Sequence, residues 1–158
     1  MCAARPGATV LAMTTTNTPI TARERNEAVW NQAAAALYAG RVDEYVAYSQ
    51  PDGRYEVAYP IGDMAAAVEG HEAIGQLFSA FGAAATSIAV HDVRFHQTDD
   101  PDVAFVEERM VADLADGGRY ENRLVIRATF RDGLIAELFE YYYGEGAHAA
   151  MLGRLGLA

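Results

Sequence analysis

The sequence predicts one α+β domain built on a strongly curved sheet, mixed or antiparallel, with about three helices on its concave side. Two observations carry this prediction. Helical spacing of apolar residues is confined to the part of the chain before Ala85, and the remainder reads as long alternating strands joined by short turns. A length of 158 residues is enough for one hydrophobic core but not for two, so residues 21–158 are expected to form a single domain.

The first two helices have clear start and stop signals. Thr21 is followed three residues later by Glu24, a spacing that matches a capping box, and the helix that begins there is expected to run to Gly40. A short second helix is expected over residues 42–48. Turn-forming residues then predict a turn over residues 49–53.

The next segment changes from strand to helix. Apolar and polar residues alternate from Arg54 to Pro60, which predicts a strand, and residues 65–69 are expected to pair with it. Gly70 then opens a third helix, whose apolar residues recur at helical spacing and predict a face packed in the core. These residues are Ile74, Leu77, Phe78 and Phe81.

The second half of the chain predicts four strands. The alternation in residues 87–97 changes parity near His91 or Asp92, which indicates a β-bulge. Residues 103–113 form the next strand after a DDPD turn. The last hairpin, residues 119–144, pairs two alternating runs across a tight Arg-Asp-Gly turn.

Alternation along the hairpin assigns its side chains to two faces. Glu140 stands out because an acid on a face that otherwise reads apolar is either paired or chemically useful. The inward face is expected to carry Tyr120, Asn122, Leu124, Ile126, Ala128 and Phe130 on the first strand, and Leu134, Ala136, Leu138, Glu140 and Tyr142 on the second. The outward face carries Ile135, Phe139, Tyr141 and Tyr143, an aromatic strip that predicts a homodimer interface through the last strands.

Composition excludes several classes of function. A net charge of −10 argues against a surface that binds nucleic-acid phosphates, and no apolar run reaches the roughly 20 residues that a membrane span needs. All 12 basic residues are arginines, so lysine Schiff-base chemistry and a Walker lysine are excluded. Cys2 is the only cysteine and the four histidines lack a metal-binding spacing, so we expect no metal site and no other cofactor.

The two ends of the chain carry weaker signals. Residues 1–20 lack the basic cluster and apolar core of a signal peptide. We expect them to be a disordered leader, with Met13 a possible true start, and we expect a cytoplasmic location. Residues 145–158 are expected to form a closing apolar helix or flap.

Several motifs in the second half resemble those of one known superfamily. They are DDPDVAFVE, RYEN, the strand end FRDGLI and the EYYY run that begins at Glu140. With the order of elements, they are similar to the nuclear-transport-factor-2-like superfamily, and to its SnoaL-like polyketide cyclases and phenazine-biosynthesis A/B proteins. The resemblance covers roughly Ala22 to Gly144 and implies a cone-shaped fold.

The resemblance also implies roles for individual residues. The catalytic glutamate of the phenazine-type proteins falls at Glu140, which is retained. Other catalytic positions of the superfamily hold different residues in this chain. Leu77 stands where the phenazine-type proteins have a histidine, and Tyr59 stands where ketosteroid isomerases have an aspartate before a proline. Ile126 stands in place of an aspartate on the penultimate strand, and Ala33 in place of a tyrosine on the first helix.

We therefore expect an acid/base enzyme that isomerises, dehydrates or cyclises a small apolar natural-product intermediate. A desolvated Glu140 would have a raised pKa and could carry a proton near neutral pH, while a tyrosine or an asparagine donates to a developing oxyanion. The expected catalytic residues are Glu140, Tyr120 and Asn122. The expected substrate-binding residues are Tyr55, Tyr59, Tyr142, Trp30, Leu77, Phe81, His91, Leu124 and Ile126.

Other interpretations remain open. Glu140 could be ion-paired to Arg109 or Arg123 and only tie strands together. An epoxide hydrolase of the same fold would need inward aspartates, for which Asp92 and Asp113 are the strand candidates. A third possibility is a non-catalytic module that binds a small molecule or a partner subunit. One residue of the Glu107–Glu108 pair must share the strand face of Val106 and Met110, but which face is inward depends on the strand register, and a surface or interface ion pair is the expected role.

Overall fold

The computed structural model describes residues 20–60 and 65–144, together with residues 146, 149, 150 and 153. The described residues contain three helices and one six-stranded sheet, as the sequence predicts. The helices are α1 (Ala22–Tyr38), α2 (Val42–Ala47) and α3 (Gly70–Ala84). The strands are β1 (Ser49–Val57), β2 (Ala67–Glu69), β3 (Ala85–Gln97), β4 (Val103–Leu114), β5 (Arg119–Arg131) and β6 (Leu134–Tyr142).

The sheet is mixed and open, with the strand order β2-β1-β6-β5-β4-β3. Among the strand pairs that the structure describes, only β1–β6 is parallel, because the chain returns from β1 through α3 and the long β3–β6 meander before β6 lies beside β1. The helices pack on the concave face, and the core lies between them and the sheet. The predicted α+β cone is therefore confirmed.

The start of α1 is held by the predicted capping box. The Thr21 side chain accepts a hydrogen bond from the Glu24 backbone N–H at 3.2 Å, and the Glu24 carboxylate accepts one from the Thr21 backbone N–H at 2.8 Å. Further along the helix, Trp30 and two alanines, Ala33 and Ala36, are buried against the sheet. The small alanines allow the helix backbone to approach the sheet closely.

A buried asparagine fixes the direction of α1. Asn26 is 1 % exposed, and its side-chain amide donates to the Pro101 carbonyl and to the Asp102 carboxylate, both at 3.0 Å. The N-terminal end of α1 is thereby tied to the β3–β4 turn. At the other end of the helix, the Tyr38 hydroxyl contacts Glu108 of β4.

The first strand begins earlier than the sequence predicts. Ser49 already pairs with Ile135, and regular pairing resumes at Arg54 after an irregularity, so residues 49–53 are not a separate turn. Gly53 makes this possible, since a Cβ there would lie 2.9 Å from the Gln50 carbonyl oxygen. The strand ends at Val57 rather than at Pro60.

Two irregularities of the long strands follow from local chemistry. The predicted bulge in β3 is confirmed, since the register shifts between His91 and Arg94 and Asp92 has a φ of 56°. The Arg-Asp-Gly turn is confirmed as a two-residue hairpin loop in which Asp132 and Gly133 have φ values of 54° and 76°. Positive φ at both residues is the signature of a type I′ turn.

A second bulge, in the β5–β6 pair, was not predicted and reverses part of one face assignment. Thr129 pairs with Glu137, but Phe130 pairs with Ile135, so Ala136 is left out of the ladder. Beyond this point the parity of β6 changes. Ile135, expected on the outward strip, is 2 % exposed in the core, and the inward positions predicted at Leu134 and Ala136 are wrong.

The remaining alternation in the hairpin is as predicted. On β5 every second residue from Tyr120 to Phe130 is buried, and on β6 the buried residues include Leu138, Glu140 and Tyr142. Within the described residues no helix is long and apolar enough to cross a membrane. The expected leader, with its possible start at Met13, and most of the expected apolar flap over residues 145–158 lie outside the described residues.

Candidate active site

Glu140 lies in the core with a tyrosine as its hydrogen-bond donor. Its side chain is on the concave face of β6, opposite Val57 of β1 and Ile126 of β5, and the residue is 8 % exposed. The Tyr55 hydroxyl donates to the Glu140 carboxylate at 3.0 Å. Burial raises the pKa of Glu140 to about 7, the Tyr55 hydrogen bond opposes this rise, and the charge of Glu108 adds to it.

The expected alternative, an ion pair between Glu140 and an arginine, is wrong. Arg109 instead pairs with Asp92 and Glu121 on the outer face of the sheet. Arg123 has outward parity on β5 and is exposed. No arginine or histidine among the described residues forms an ion pair with Glu140, so this carboxyl is stabilised by a neutral donor alone.

A second buried carboxyl lies on the same face. Glu108, on β4, is 4 % exposed and accepts a hydrogen bond from the Tyr38 hydroxyl at the end of α1. Burial raises the pKa of Glu108, and the Tyr38 hydrogen bond opposes the rise. The expected surface or interface ion pair is therefore wrong for Glu108. Its neighbour Glu107 is exposed on the outer face, where its carboxylate lies 3.5 Å from the His96 ring, a contact that is an ion pair only when His96 is protonated.

The position of Glu108 could have been found from its neighbours. Val106 and Met110 have the same strand parity and are both buried, so an inward Glu108 follows once either of them is assigned to the core. Tyr38 could not be assigned in this way. Its hydroxyl reaches Glu108 across 70 residues of sequence, and only the packing of α1 on the sheet brings the two together.

The two other expected catalytic residues lie near one end of the same face. Tyr120 and Asn122 are each 4 % exposed, and the Asn122 amide donates to the Tyr120 hydroxyl at 3.1 Å. The Asn122 carbonyl oxygen accepts from the Gly144 backbone N–H at 2.7 Å and from the Arg123 backbone N–H at 2.9 Å. Asn122 thus fastens the chain that leaves β6, and its oxygen is occupied by backbone donors.

Most of the expected substrate-binding residues line the same interior. Trp30, Leu124, Ile126, Tyr55 and Tyr142 are buried, and Leu77 and Phe81 of α3 are partly buried against them. The Phe81 ring meets the Tyr120 ring edge-on, with centroids 6.4 Å apart. The interior around the two carboxyls is therefore apolar and aromatic, apart from the tyrosine hydroxyls.

Two of the expected binding residues are not brought into this interior. His91 precedes the β3 bulge, pairs with Arg109 on the outer parity and is exposed. Tyr59 lies beyond the end of β1 and is 59 % exposed, although its ring meets the buried Tyr142 ring edge-on at 6.2 Å. The residue with the irregular backbone at the bulge is Asp92 and not His91. Tyr59 lies outside the sheet because β1 ends at Val57.

The strand aspartates that an epoxide hydrolase would need also lie outside. Asp92 is 3.4 Å from the Arg109 guanidinium on the outer face. Asp113 accepts from the Ser87 hydroxyl at 2.9 Å and lies 3.6 Å from Arg119. Neither aspartate is near Glu140, so this expected Asp-based arrangement is not formed by the described residues.

The outer face of the sheet carries a wide groove. It has a volume of about 720 Å³ and is lined mainly by outward residues of β3 to β6 and the chain just beyond. Tyr141 is 36 % exposed and Tyr143 is 88 % exposed at this groove. Charges of both signs line it, from Arg94, Arg109 and Arg123 and from the acids Asp92 and Glu107.

Comparisons with known proteins agree with this architecture. The family model of the SnoaL-like domain matches residues 30–138. Comparison with curated proteins gives no match.

Solved structures from three bacteria share the fold. A proposed isomerase from Bacillus subtilis has a TM-score of 0.74 at 13 % identity, covering 88 % of this chain and 98 % of its own. A phenazine biosynthesis-related protein from Pseudomonas aeruginosa has a TM-score of 0.69 at 14 % identity, covering 91 % of each chain. A proposed polyketide cyclase from Xanthomonas campestris has a TM-score of 0.70 at 16 % identity, covering 83 % of this chain and 99 % of its own. At these identities the likeness shows the fold alone.

Proposed function

This chain belongs to the SnoaL-like domain family, and we propose that it is an acid/base enzyme that needs no cofactor and isomerises, dehydrates or cyclises a small apolar natural-product intermediate. The observation that carries the proposal is Glu140, a buried carboxyl with one neutral hydrogen-bond donor and a pKa of about 7. A group with such a pKa exchanges protons readily at neutral pH. Burial of a charge is costly, so a buried carboxyl without an ion-pair partner is a candidate functional group.

The proposal gives Tyr55 a role beside Glu140. Burial first, and then the charge of Glu140, raise the pKa of Tyr55 well above its ordinary value, so the phenol stays protonated. A protonated phenol donates a hydrogen bond to the ionised carboxylate or to an oxygen of the substrate that becomes negative during proton transfer. Tyr120 lies on the same face and is proposed as a second such donor.

The surrounding surface supports an apolar substrate. Trp30, Leu124 and Ile126 are buried in the same interior. Among the described residues, no arginine forms an ion pair with a carboxylate in this interior. A substrate with a carboxylate or phosphate would lack a cationic partner there. A ketone or an aromatic precursor matches the apolar walls and the phenol donors.

Proton exchange on a simple probe tests the proposal. The probe is a β,γ-unsaturated cyclic ketone in D₂O, with deuterium incorporation and conversion to the conjugated isomer followed by NMR. We expect exchange by the wild type and a loss of about 100-fold or more in Glu140→Gln, in line with the usual contribution of a positioned acid or base. Glu137→Gln is the matched control, since Glu137 is on the same strand but pairs with Arg127. Equal rates in wild type and Glu140→Gln would contradict the assignment.

We also propose that the outer face of β5 and β6 forms a homodimer contact. Val125 and Tyr141 are 39 % and 36 % exposed, Tyr143 is 88 % exposed, and the Arg127 guanidinium lies over the Phe139 ring at 5.0 Å. An exposed cluster of aromatic and arginine residues is typical of interfaces. Light scattering coupled to size exclusion is expected to give a dimer for the wild type and a monomer for Tyr141→Glu. A monomeric wild type would refute the contact.

A further inference from the structure

The core holds a buried carboxyl that the proposed function does not use. Glu108 lies on the concave face like Glu140, and each accepts a hydrogen bond from a tyrosine of a different element, Tyr38 of α1 and Tyr55 of β1. Neither has an ion-pair partner among the described residues. A single buried acid can be a structural accident, but two acids on one face repel each other and lower stability.

The ladder fixes the relation between the two carboxyls. Glu108 pairs with Leu124, whereas Glu140 pairs with Ile126, so the carboxyls lie two strands apart and two residues out of line. In a flat sheet this places their Cα atoms about 12 Å apart, and concave curvature shortens the distance between inward side chains. The register therefore places both carboxyls on neighbouring parts of one face of the sheet.

The charge of each carboxyl affects the pKa of a group that belongs to the other. The charge of Glu108 contributes to the raised pKa of Glu140. The Tyr38 phenol, which donates to Glu108, also has its pKa raised in part by the charge of Glu140. Both carboxyls face the same interior, because Glu108 and Glu140 are buried at inward positions of β4 and β6.

Resting on the proposed function, we propose that Glu108 is a second catalytic residue, the base of a two-carboxyl pair in which Glu140 is the acid. Hydrogen bonding and charge support these roles. The Tyr38 hydroxyl donates to the Glu108 carboxylate and favours its ionised form, and the charge of Glu108 contributes to the raised pKa of Glu140. An ionised Glu108 therefore helps to keep Glu140 protonated.

The pair accounts for a complete proton cycle on an enolisable ketone. The Glu108 carboxylate takes a proton from the carbon beside the carbonyl, and the electron pair of that C–H bond becomes the C=C bond of an enol as Glu140 gives its proton to the carbonyl oxygen. Return of the Glu108 proton to the far carbon of the conjugated system, with return of the oxygen proton to Glu140, resets both groups. No oxidant, reductant or co-reactant is consumed.

Among the described residues, the titratable groups packed around the pair are phenols of α1, α2, β1, β5 and β6. They are Tyr38 of α1, Tyr45 of α2, Tyr55 of β1, Tyr120 of β5 and, near the end of β6, Tyr142. Burial raises the pKa values of four of these phenols, those of Tyr38, Tyr45, Tyr55 and Tyr120, so they remain neutral while the carboxyls titrate.

The test combines a titration without substrate and a rate. Carboxyl ¹³C NMR of glutamate-labelled protein is expected to show the Glu140 midpoint at lower pH in Glu108→Gln than in the wild type, because a negative charge has been removed. The same variant is expected to lose about 100-fold or more of the turnover of the β,γ-unsaturated ketone. Glu107→Gln, the adjacent exposed carboxyl, is the matched control and is expected to change neither quantity.

Each other outcome overturns the pair. Turnover of Glu108→Gln within threefold of wild type, with Glu140→Gln inactive, would remove Glu108 from the chemistry and leave the proposed function standing. Lost turnover with an unmoved Glu140 midpoint would reduce Glu108 to a structural residue. If Glu108→Gln does not fold, Tyr38→Phe is measured in its place. Loss of the hydrogen-bond donor is expected to raise the pKa of Glu108, so the acid limb of the pH–rate profile moves to higher pH. An acid limb at the wild-type pH refutes the proposal.

Discussion

Replacing Glu140 by glutamine is predicted to remove a pH dependence of stability that the wild-type protein owes to this one carboxyl. Burial raises the pKa of Glu140 to about 7 in the folded protein, from an ordinary value of 4.5. Between these values the folded state keeps a proton that the unfolded chain has lost. The contribution of Glu140 to the free energy of unfolding is therefore fully present below about pH 4.5, and it is lost as the pH rises through about 7.

The magnitude follows from the two pKa values. A fall from about 7 to 4.5 on unfolding corresponds to about 3 kcal/mol, at about 1.4 kcal/mol for each pKa unit. Glutamine has nearly the shape of the protonated glutamic acid, and its carbonyl oxygen can still accept the Tyr55 hydrogen bond. The variant is thus expected to match the wild type near pH 4 and to exceed it by about 3 kcal/mol at pH 9.

Urea unfolding at a series of pH values from 4 to 9 measures this difference. The fluorescence of Trp30, the only tryptophan, and far-UV circular dichroism report the transition. Glu137→Gln removes a carboxyl from the outer face of the same strand and is expected to stay parallel to the wild type from pH 5 to 9. A difference between wild type and Glu140→Gln that does not change with pH would refute the raised pKa and the reasoning built on it.

Three further predictions concern the contacts around the site. Tyr55→Phe removes the hydrogen bond that lowers the pKa of Glu140, so the ¹³C titration midpoint of Glu140 is expected to move to higher pH, and an unchanged midpoint would contradict the contact. Asn122→Ala removes the side-chain oxygen that accepts from the Gly144 backbone N–H at 2.7 Å, and it is expected to lower the free energy of unfolding by about 1–3 kcal/mol in urea titrations. An unchanged free energy would show that this hydrogen bond does not stabilise the fold. Gly133→Ala places a side chain at a φ of 76° and is expected to cost about 1 kcal/mol, and a melting temperature at or above that of the wild type would argue against the type I′ turn.

Much of the fold was accessible from local sequence patterns. The capping box at Thr21 and Glu24, the apolar spacing of α3 and the positive-φ turn at Asp132 and Gly133 each depend on a few neighbouring residues. Such signals are read without knowledge of the rest of the chain. The start of β1 was missed for the converse reason, since Pro51 and Gly53 are turn formers locally and are accommodated in the structure by an irregular strand beside β6.

The candidate site was only partly accessible. Strand alternation assigned Glu140 to the inward face, and the structure agrees. It could not detect the bulge at Ala136, because a bulge is a property of two paired strands, and it therefore misplaced Ile135. It also left Glu108 on the surface, because the inward face of β4 was not assigned, although the apolar residues Val106 and Met110 share the parity of Glu108.

The sequence by itself determined the order of elements, the Arg-Asp-Gly hairpin turn and the burial of one acid in an apolar strand. The tertiary structure decided what that acid meets. Tyr55 reaches Glu140 across 85 residues and Tyr38 reaches Glu108 across 70, and both contacts depend on which strands are adjacent and on how α1 crosses the sheet. Alternation fixes which side chains share a face of one strand, but the distance between side chains on different elements is set only when the core packs.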